Sequence, residues 1–339
     1  MERDASVKTQ DMRVLDEMDM AVFDQESLRS YRQRMRLARP GHVWEMLDDG
    51  DFLLKIGAAG IGPDGQEHPT SAGLLMFGNE YDIVREFNSY FLDYQEQDNA
   101  GTRWAHRIVS SSGDWSGNVY DFYFRVCDRL NRDLKVPPKP DGAADEDPVR
   151  QALREALANC LVNADYYGRQ GLVIVKRRRE ITMANPGGFR IRIDRAKSGG
   201  VSDPRNGTLS RMFHLIDIGV RAGSGIPNIY RVWQEQGWVM PDILEQLDPA
   251  RTLLTLSFEK AGVQRPVMEP GGSRSAISAR MKEAILVYLT DHTEATVTEI
   301  ADHLGLRLPR AKEYLEELIA EGSVVADSSR RTRKYRLKA

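Results

Sequence analysis

The stretch that most constrains this chain is the run EALANCLVNADYY at Glu155–Tyr167, followed by a hairpin-like segment that ends in ANPGGF. Read as a helix, it stacks Glu155, Asn159 and Asn163 along one stripe, because residues four apart lie above one another. Leu153, Leu157, Cys160, Leu161 and Ala164 make an apolar face on the other side. Asn is a mediocre helix former, and a merely solvated stripe is better made of Glu, Lys and Gln. Two asparagines in line with a glutamate therefore ask for a ligand.

Around this helix the chain divides by punctuation. Residues 1–50 read as charged helices, VLDEMDMAVF and then SLRSYRQRMRLARPGHVWEML, broken at Pro40 and Gly41. Arg29, Arg32, Arg34, Arg36 and Arg39 read as a solvated helix face in preference to a docking site for an acidic partner. Residues 51–140 read as an α+β accessory region. It holds a helix and a Gly/Pro loop in DFLLKIGAAGIGPDG, a short apolar element in SAGLLMFG, strands in FLDYQEQ and RWAHRIVSSSG, and an amphipathic helix in NVYDFYFRVCDRLNRDL. Residues 141–261 form the binding core, with GLVIVKRRREITMANPGG as a hairpin of buried strands and RTLLTLSFE as a further strand. The long stretch Phe189–Gly219 between two glycine pairs reads as a lid over a ligand. Residues 262–275 read as a linker. Residues 276–339 read as three short helices and a strand-turn-strand, the winged helix-turn-helix pattern.

A net charge of −3 excludes a uniformly basic nucleic-acid coat protein and still allows a local basic patch. Such a patch stands in the last region. Arg307, Arg310 and Lys312 open the third helix, and Arg330, Arg331, Arg333 and Lys334 crowd the wing. Positive charge on a reading helix and its wing is the footprint of a double-stranded DNA binder; a protein-docking winged helix is the other reading. Cys127 and Cys160 each sit in an apolar helical pattern and read as buried thiols. His42, His68 and His106 have no second ligand at metal spacing and read as packing or surface residues. No run approaches the roughly 18 apolar residues of a membrane span, and MERDASVKTQD is no signal peptide, so a cytoplasmic setting without a membrane partner is expected.

Glu155-x-x-x-Asn159, NPGG at Asn185–Gly188 and GSGI at Gly223–Ile226, in that order, resemble the N box and the two glycine boxes of the GHKL superfamily (gyrase, heat-shock chaperone, histidine kinase, MutL). More narrowly, REALxNxLVNxDY, NPGGF, the lid and RxGSGIPNI resemble the ATP-binding region of a bacterial family labelled RecG-like or Schlafen AlbA-domain regulator. TSAGLLMFG at Thr70–Gly78 matches a further motif of that family. Its N-terminal AlbA-type domain has no counterpart here, which reads as a short form or as a start internal to a longer gene.

The resemblance implies a GHKL (Bergerat) two-layer α/β sandwich that binds ATP and Mg²⁺. Glu155 matches the general base that orients water and Asn159 the oxygen ligand of Mg²⁺; Asn163 is a weaker candidate to support them, with a helix C-terminal cap or turn as its other reading. Asn185 falls at the adenine amino group, Gly187 and Gly188 wall the base, and Gly223, Ser224 and Gly225 surround the phosphates; Thr255, in the strand after the lid, reads as an ordinary strand threonine in preference to a support for adenine recognition. The chemistry agrees: a carboxylate accepts a proton, Mg²⁺ takes hard oxygens, and a glycine-opened helix N-terminus holds an anion. Asn185 replaces the superfamily's acidic residue and the second glycine falls one position early, so ATP binding is expected ahead of fast hydrolysis. No G-x-x-x-x-G-K-[ST] occurs, so the RecG-like label carries no helicase motor. The reading is an ATP-binding, nucleotide-responsive DNA-binding regulator with scope for homo-oligomers. Its rivals are a slow Mg²⁺-dependent GHKL ATPase that drives a conformational or dimerisation cycle, and an adaptor with a degenerate pocket.

Overall fold

The computed structural model describes residues 9–97, 104–132, 147–219, 223–261, 294–304, 308–327 and 333–338, together with 282, 284–286, 288–290, 292 and 306. Two compact units divide the chain: Met1–Glu96 with His106–Glu259, and Gln97–Ala105 with Lys260–Ala339. The strands up to Ser257 are β1 (Ala59–Ile61), β2 (Glu67–Pro69), β3 (Leu92–Gln97), β4 (Trp104–Val109), β5 (Leu172–Lys176), β6 (Glu180–Pro186), β7 (Asp242–Leu247) and β8 (Ala250–Ser257). The last six form a mixed sheet in the order β4-β3-β5-β6-β8-β7, with β3 parallel to β5 and the remaining pairs from β5 to β7 antiparallel.

Helices α1 (Gln25–Ala38), α2 (Asp49–Ile56), α3 (Ser71–Phe77), α4 (Glu80–Glu86), α5 (Val119–Arg132), α6 (Pro148–Asn163), α7 (Ile193–Ser198), α8 (Gly207–Leu215) and α9 (Gly225–Glu235) complete the first unit. Strand alternation decides which side chains meet them. Met183 pairs with Leu254 and Asn185 with Thr252, so Ile181, Met183 and Asn185 share a face with Thr252, Leu254 and Leu256, while Thr182, Ala184, Leu253 and Thr255 turn the other way. The first face packs under α6, which also packs along α9. Asp147 starts α6 by accepting from Val149 N at 2.9 Å, with Pro148 at the position where a missing N–H costs nothing. The other end of α6 is closed from outside: Asn206 Nδ2 donates to the carbonyls of Val162 and Ala164 at 3.1 and 2.8 Å. One hydrophobic core runs from Leu15 to Leu256, so the N-terminal residues belong to the same packing unit as the sheet.

The expected helix in VLDEMDMAVF does not form. Val14 bridges Thr70, Phe23 bridges Gly78, and Leu15 N donates to Pro69 O at 2.9 Å, so backbone pairing with the β2–α3 region holds the segment extended. Two short turns interrupt it, one at Asp16–Glu17 where Met18 N donates to Leu15 O at 3.0 Å, and one at Met20–Val22 capped by the Asp19 side chain. Of the arginines on α1 and at its C-cap, Arg29, Arg34 and Arg36 are exposed as expected, while Arg32 and Arg39 are partly buried, and all but Arg29 are drawn into contacts with other elements. Arg32 pairs with Asp49 at 2.7 Å, Arg36 with Glu45 at 2.7 Å, Arg34 lies 3.7 Å from the Phe124 ring centroid, and Arg39 reaches the C-terminus of α8. Strand β7 carries little sequence signal, because it lies at the sheet edge and Ile243 is its only buried residue.

The second unit contains β9 (Ala295–Thr296), α10 (Val297–Leu304), α11 (Leu308–Ala320), β10 (Val324–Ala326) and β11 (Lys334–Leu337). The strands form a three-stranded antiparallel sheet in the order β10-β11-β9. Ile285, Leu289, Ile300, Tyr314, Leu315, Leu318, Val324 and Tyr335 give it a core of its own. The expected linker 262–275 lies outside the described residues.

Candidate functional site

Helical spacing brings the α6 stripe together as a hydrogen-bonded ladder. Glu155 is 5% exposed, and Asn159 Nδ2 donates to its Oε1 at 3.4 Å. Asn163 Nδ2 donates to the Asn159 carbonyl at 2.9 Å, and Asn163 Oδ1 accepts from Arg205 N at 3.3 Å. The first residue of α9 closes on this ladder. A Cβ at Gly225 would stand 2.2 Å from Glu155 Oε1 and 3.0 Å from Asn159 Nδ2, so the helix approaches this closely because position 225 has no side chain. The carboxylate thus lies against the positive end of the α9 dipole.

This ladder forms one wall of a cleft with about 1300 Å³ of atom-free space, part of it continuous with solvent. Asn163, Asn185, Gly188, Gly223 and Gly225 line it with Glu155 and Asn159. On the sheet side, Met183, Ile243 and Leu254 make an apolar slot around Asn185, which is 8% exposed. The Asn185 carboxamide has no hydrogen-bond partner among the described residues. It can accept and donate at once, the pattern that reads the edge of a planar heterocycle.

Three expected residues sit elsewhere. Thr255 points to the opposite face of the sheet; Thr252, three residues earlier, lines the cleft and donates its Oγ1 to Gly187 O at 2.9 Å. Gly187, at φ +91°, holds the turn behind the wall, beside Asp165 and Arg205. Ser224 precedes α9 and is absent from the cleft lining. Thr252 escaped the sequence reading because a threonine's face depends on strand register, which RTLLTLSFE does not state.

The stretch between the glycine pairs is two structures. Residues 188–203, with α7, lie over the cleft: Ala196 and Val201 line it, and the Val201 carbonyl packs so close to Gly223 that a Cβ there would meet it at 2.2 Å. By contrast α8, which supplies Ser210, Phe213 and His214 to the cleft, is fixed at both ends. The buried Asp11 carboxylate accepts from Thr208 N and Leu209 N at 2.8 and 2.9 Å, while Arg39 donates to His214 O and Leu215 O at 2.9 and 3.1 Å. Tyr31 Oη donates to Met212 O at 2.8 Å, and burial raises that phenol's pKa well above its usual value. Arg205 and Asn206 are likewise committed to protein, Arg205 donating to Gly188 O at 3.0 Å.

With its amide nitrogen on Glu155, Asn159 has Oδ1 left for a ligand. Among the described residues no group of three His, Cys, Asp or Glu side chains could hold a metal. A divalent cation would therefore depend on ligand oxygens, which suits Mg²⁺ bound through phosphates and water with one protein oxygen. Cys160 also lines the cleft, but burial pushes its thiol up to about 12, so it serves as packing and not as a nucleophile.

Two family models match the second half of the chain and a third matches its start. Residues 175–254 match the HATPase_c_4 family, described as "Putative ATP-dependent DNA helicase recG C-terminal". Residues 281–333 match the family described as "FaeA-like protein", and the two matches together fit a RecG-like family. Residues 1–93 match a domain of unknown function, DUF8451. The structure is similar to that of the DIP2311 protein from Corynebacterium diphtheriae, with a TM-score of 0.55 and 16% sequence identity, covering 99% of this chain and 71% of that one. No curated protein matches the chain.

In the second unit, Arg307, Arg330 and Arg331 lie outside the described residues. Arg310, Lys312, Arg333 and Lys334 are exposed. Arg310 is held by Glu313 and by Tyr314, whose Oη lies 3.2 Å from Nε, and Lys334 by Glu294. Arg333 lies 5.6 Å from the Tyr335 ring centroid. These exposed pairs are weak enough to exchange for a stronger anion. No helix among the described residues is long and apolar enough to cross a membrane.

Proposed function

We propose that the cleft binds ATP with Mg²⁺ in a GHKL-type two-layer sandwich, that residues 276–339 are a winged helix that binds double-stranded DNA, and that the whole is a cytoplasmic, nucleotide-responsive transcriptional regulator. The observation that carries this reading is the meeting of Glu155 and Asn159 with Gly225 at the start of α9. It supports the reading because a side-chain amide, a carboxylate and a helix N-terminus meet there, the groups that Mg²⁺ ligation, proton acceptance and phosphate binding would use. Asn185 in its apolar slot takes the adenine edge, and Gly223 and Gly225, which line the cleft, take the phosphates. Mg²⁺, when bound, neutralises phosphate charge. Asn159 Oδ1 would help hold it, and Glu155 would be placed to accept a proton from a water that attacks the phosphate.

A second reading, slow Mg²⁺-dependent ATP turnover, is favoured by the buried Glu155 carboxylate, which binding alone would not need. Equilibrium titration of the full chain with ATP, with and without Mg²⁺, tests the site. Asn159→Ala is expected to weaken Mg²⁺-dependent binding about tenfold or more, and Glu155→Gln to retain binding and lose phosphate release. Equal affinity of wild type and Asn159→Ala at millimolar-scale Mg²⁺ would contradict the metal assignment.

A further inference from the structure

The α9 wall of the cleft carries a polar group that the nucleotide reading leaves without a role. Tyr230 lines the cleft one turn beyond Ile226, and its hydroxyl oxygen is buried with no hydrogen-bond partner among the described residues. Lys197, exposed on α7, holds its ammonium 5.1 Å from the centre of the Tyr230 ring, and no ion pair engages it among the described residues. The end of α7 is packed onto the first turn of α9: a Cβ at Gly199 would stand 2.9 Å from Pro227 Cγ and 3.2 Å from the Gly223 carbonyl oxygen.

Buried hydroxyls are satisfied almost everywhere in folded proteins, so an orphan on a cleft wall calls for an acceptor. A phenol donor beside an unpaired ammonium suits an anionic oxygen. Tyr230 lies five residues after Gly225, about 7.5 Å along the helix at 1.5 Å per residue, within the reach of a polyphosphate anchored at the helix start. The apolar slot around Asn185 belongs to the base and is built from the sheet instead.

We infer that Tyr230 and Lys197 form a second anion-binding contact of this cleft, taking the phosphate tail of the bound nucleotide and tying α7 to it. The inference rests on the ATP-site reading. The hydroxyl oxygen is buried in this structure, so the wall around it must shift for phosphate to reach it, and the neighbouring element is the six-residue α7, whose Lys197 lies over the Tyr230 ring. Nucleotide then replaces an unsatisfied hydroxyl with a charge-assisted hydrogen bond, which gives the lid a reason to respond to what the cleft holds.

The test is titration of the full chain and of Tyr230→Phe and Lys197→Met with ATP and with AMP, alongside thermal unfolding without nucleotide. Tyr230→Phe is expected to unfold at the same or a higher temperature than wild type, since it deletes an orphaned hydroxyl. It is also expected to bind ATP about tenfold more weakly, with a smaller loss for AMP. Lys197→Met should show the same ordering. If wild type binds ATP and Tyr230→Phe binds it equally well, or if both nucleotides lose affinity equally, the inference is overturned while the ATP site stands. If wild type binds neither nucleotide, the site reading and the inference fall together.

Discussion

At the scale of the residue, Gly225 sets the geometry of the cleft. A methyl group there would overlap Glu155 Oε1, and the carboxylate is buried, so relief comes from swinging Glu155 off its Asn159 contact or from moving α9. Gly225→Ala is therefore expected to keep its fold, as circular dichroism would show, and to lose ATP binding; unchanged ATP affinity would mean that this close approach has no functional weight. A second residue-scale consequence concerns pH. His68 places Nδ1 2.7 Å from Met18 O and Nε2 3.0 Å from the Asp64 carboxylate, so both ring nitrogens face acceptors. The Met18 carbonyl first, then Asp64, raises its pKa above the ordinary 6.5. A raised pKa means that the imidazolium favours the folded state. That contribution is complete below about pH 6.5 and disappears as pH climbs through the folded value. The unfolding midpoint of wild type should thus fall relative to His68→Gln on going from acidic to mildly alkaline buffer, and parallel profiles for the two proteins would remove His68 from the account.

At the scale of the element, α8 is a wall and not a lid. Its N-cap residue Asn206 makes no capping bond of its own, and Asp11, nearly two hundred positions away, supplies one. Removing that carboxylate in Asp11→Ala should cost about 0.5–2 kcal/mol, the usual range for a lost N-cap, and chemical denaturation measures it. Arg39→Met should cost less, because its contacts are half-exposed, and should still loosen His214 at the cleft. These contacts explain what the sequence shows and what it hides. The α6 stripe is legible because helical periodicity is local, and the β5–β6 hairpin because its turn is short. The extended path of VLDEMDMAVF is not, since its bridges to Thr70 and Gly78 come from another part of the chain and override a helical pattern. Nor is the work of the α1 arginines, which read as surface until Asp49, Glu45, Phe124 and the end of α8 are folded against them.

At the scale of the whole molecule, two units with separate cores carry the two halves of the proposed activity. The basic residues of α11 and β11 make the prediction for DNA. Phosphate contacts release counterions, so duplex affinity should fall linearly on a log–log plot against salt, with Lys312→Ala and Arg333→Ala each lowering the slope by about one. The most direct measurement of a nucleotide-responsive DNA binder is titration of labelled duplex into the full chain over several salt concentrations, with and without Mg²⁺ and ATP, for wild type and Asn159→Ala. The account predicts salt-dependent binding whose affinity changes with ATP in wild type and ignores ATP in Asn159→Ala. Duplex binding that is the same with and without ATP in wild type, or no salt-dependent duplex binding under either condition, would contradict it.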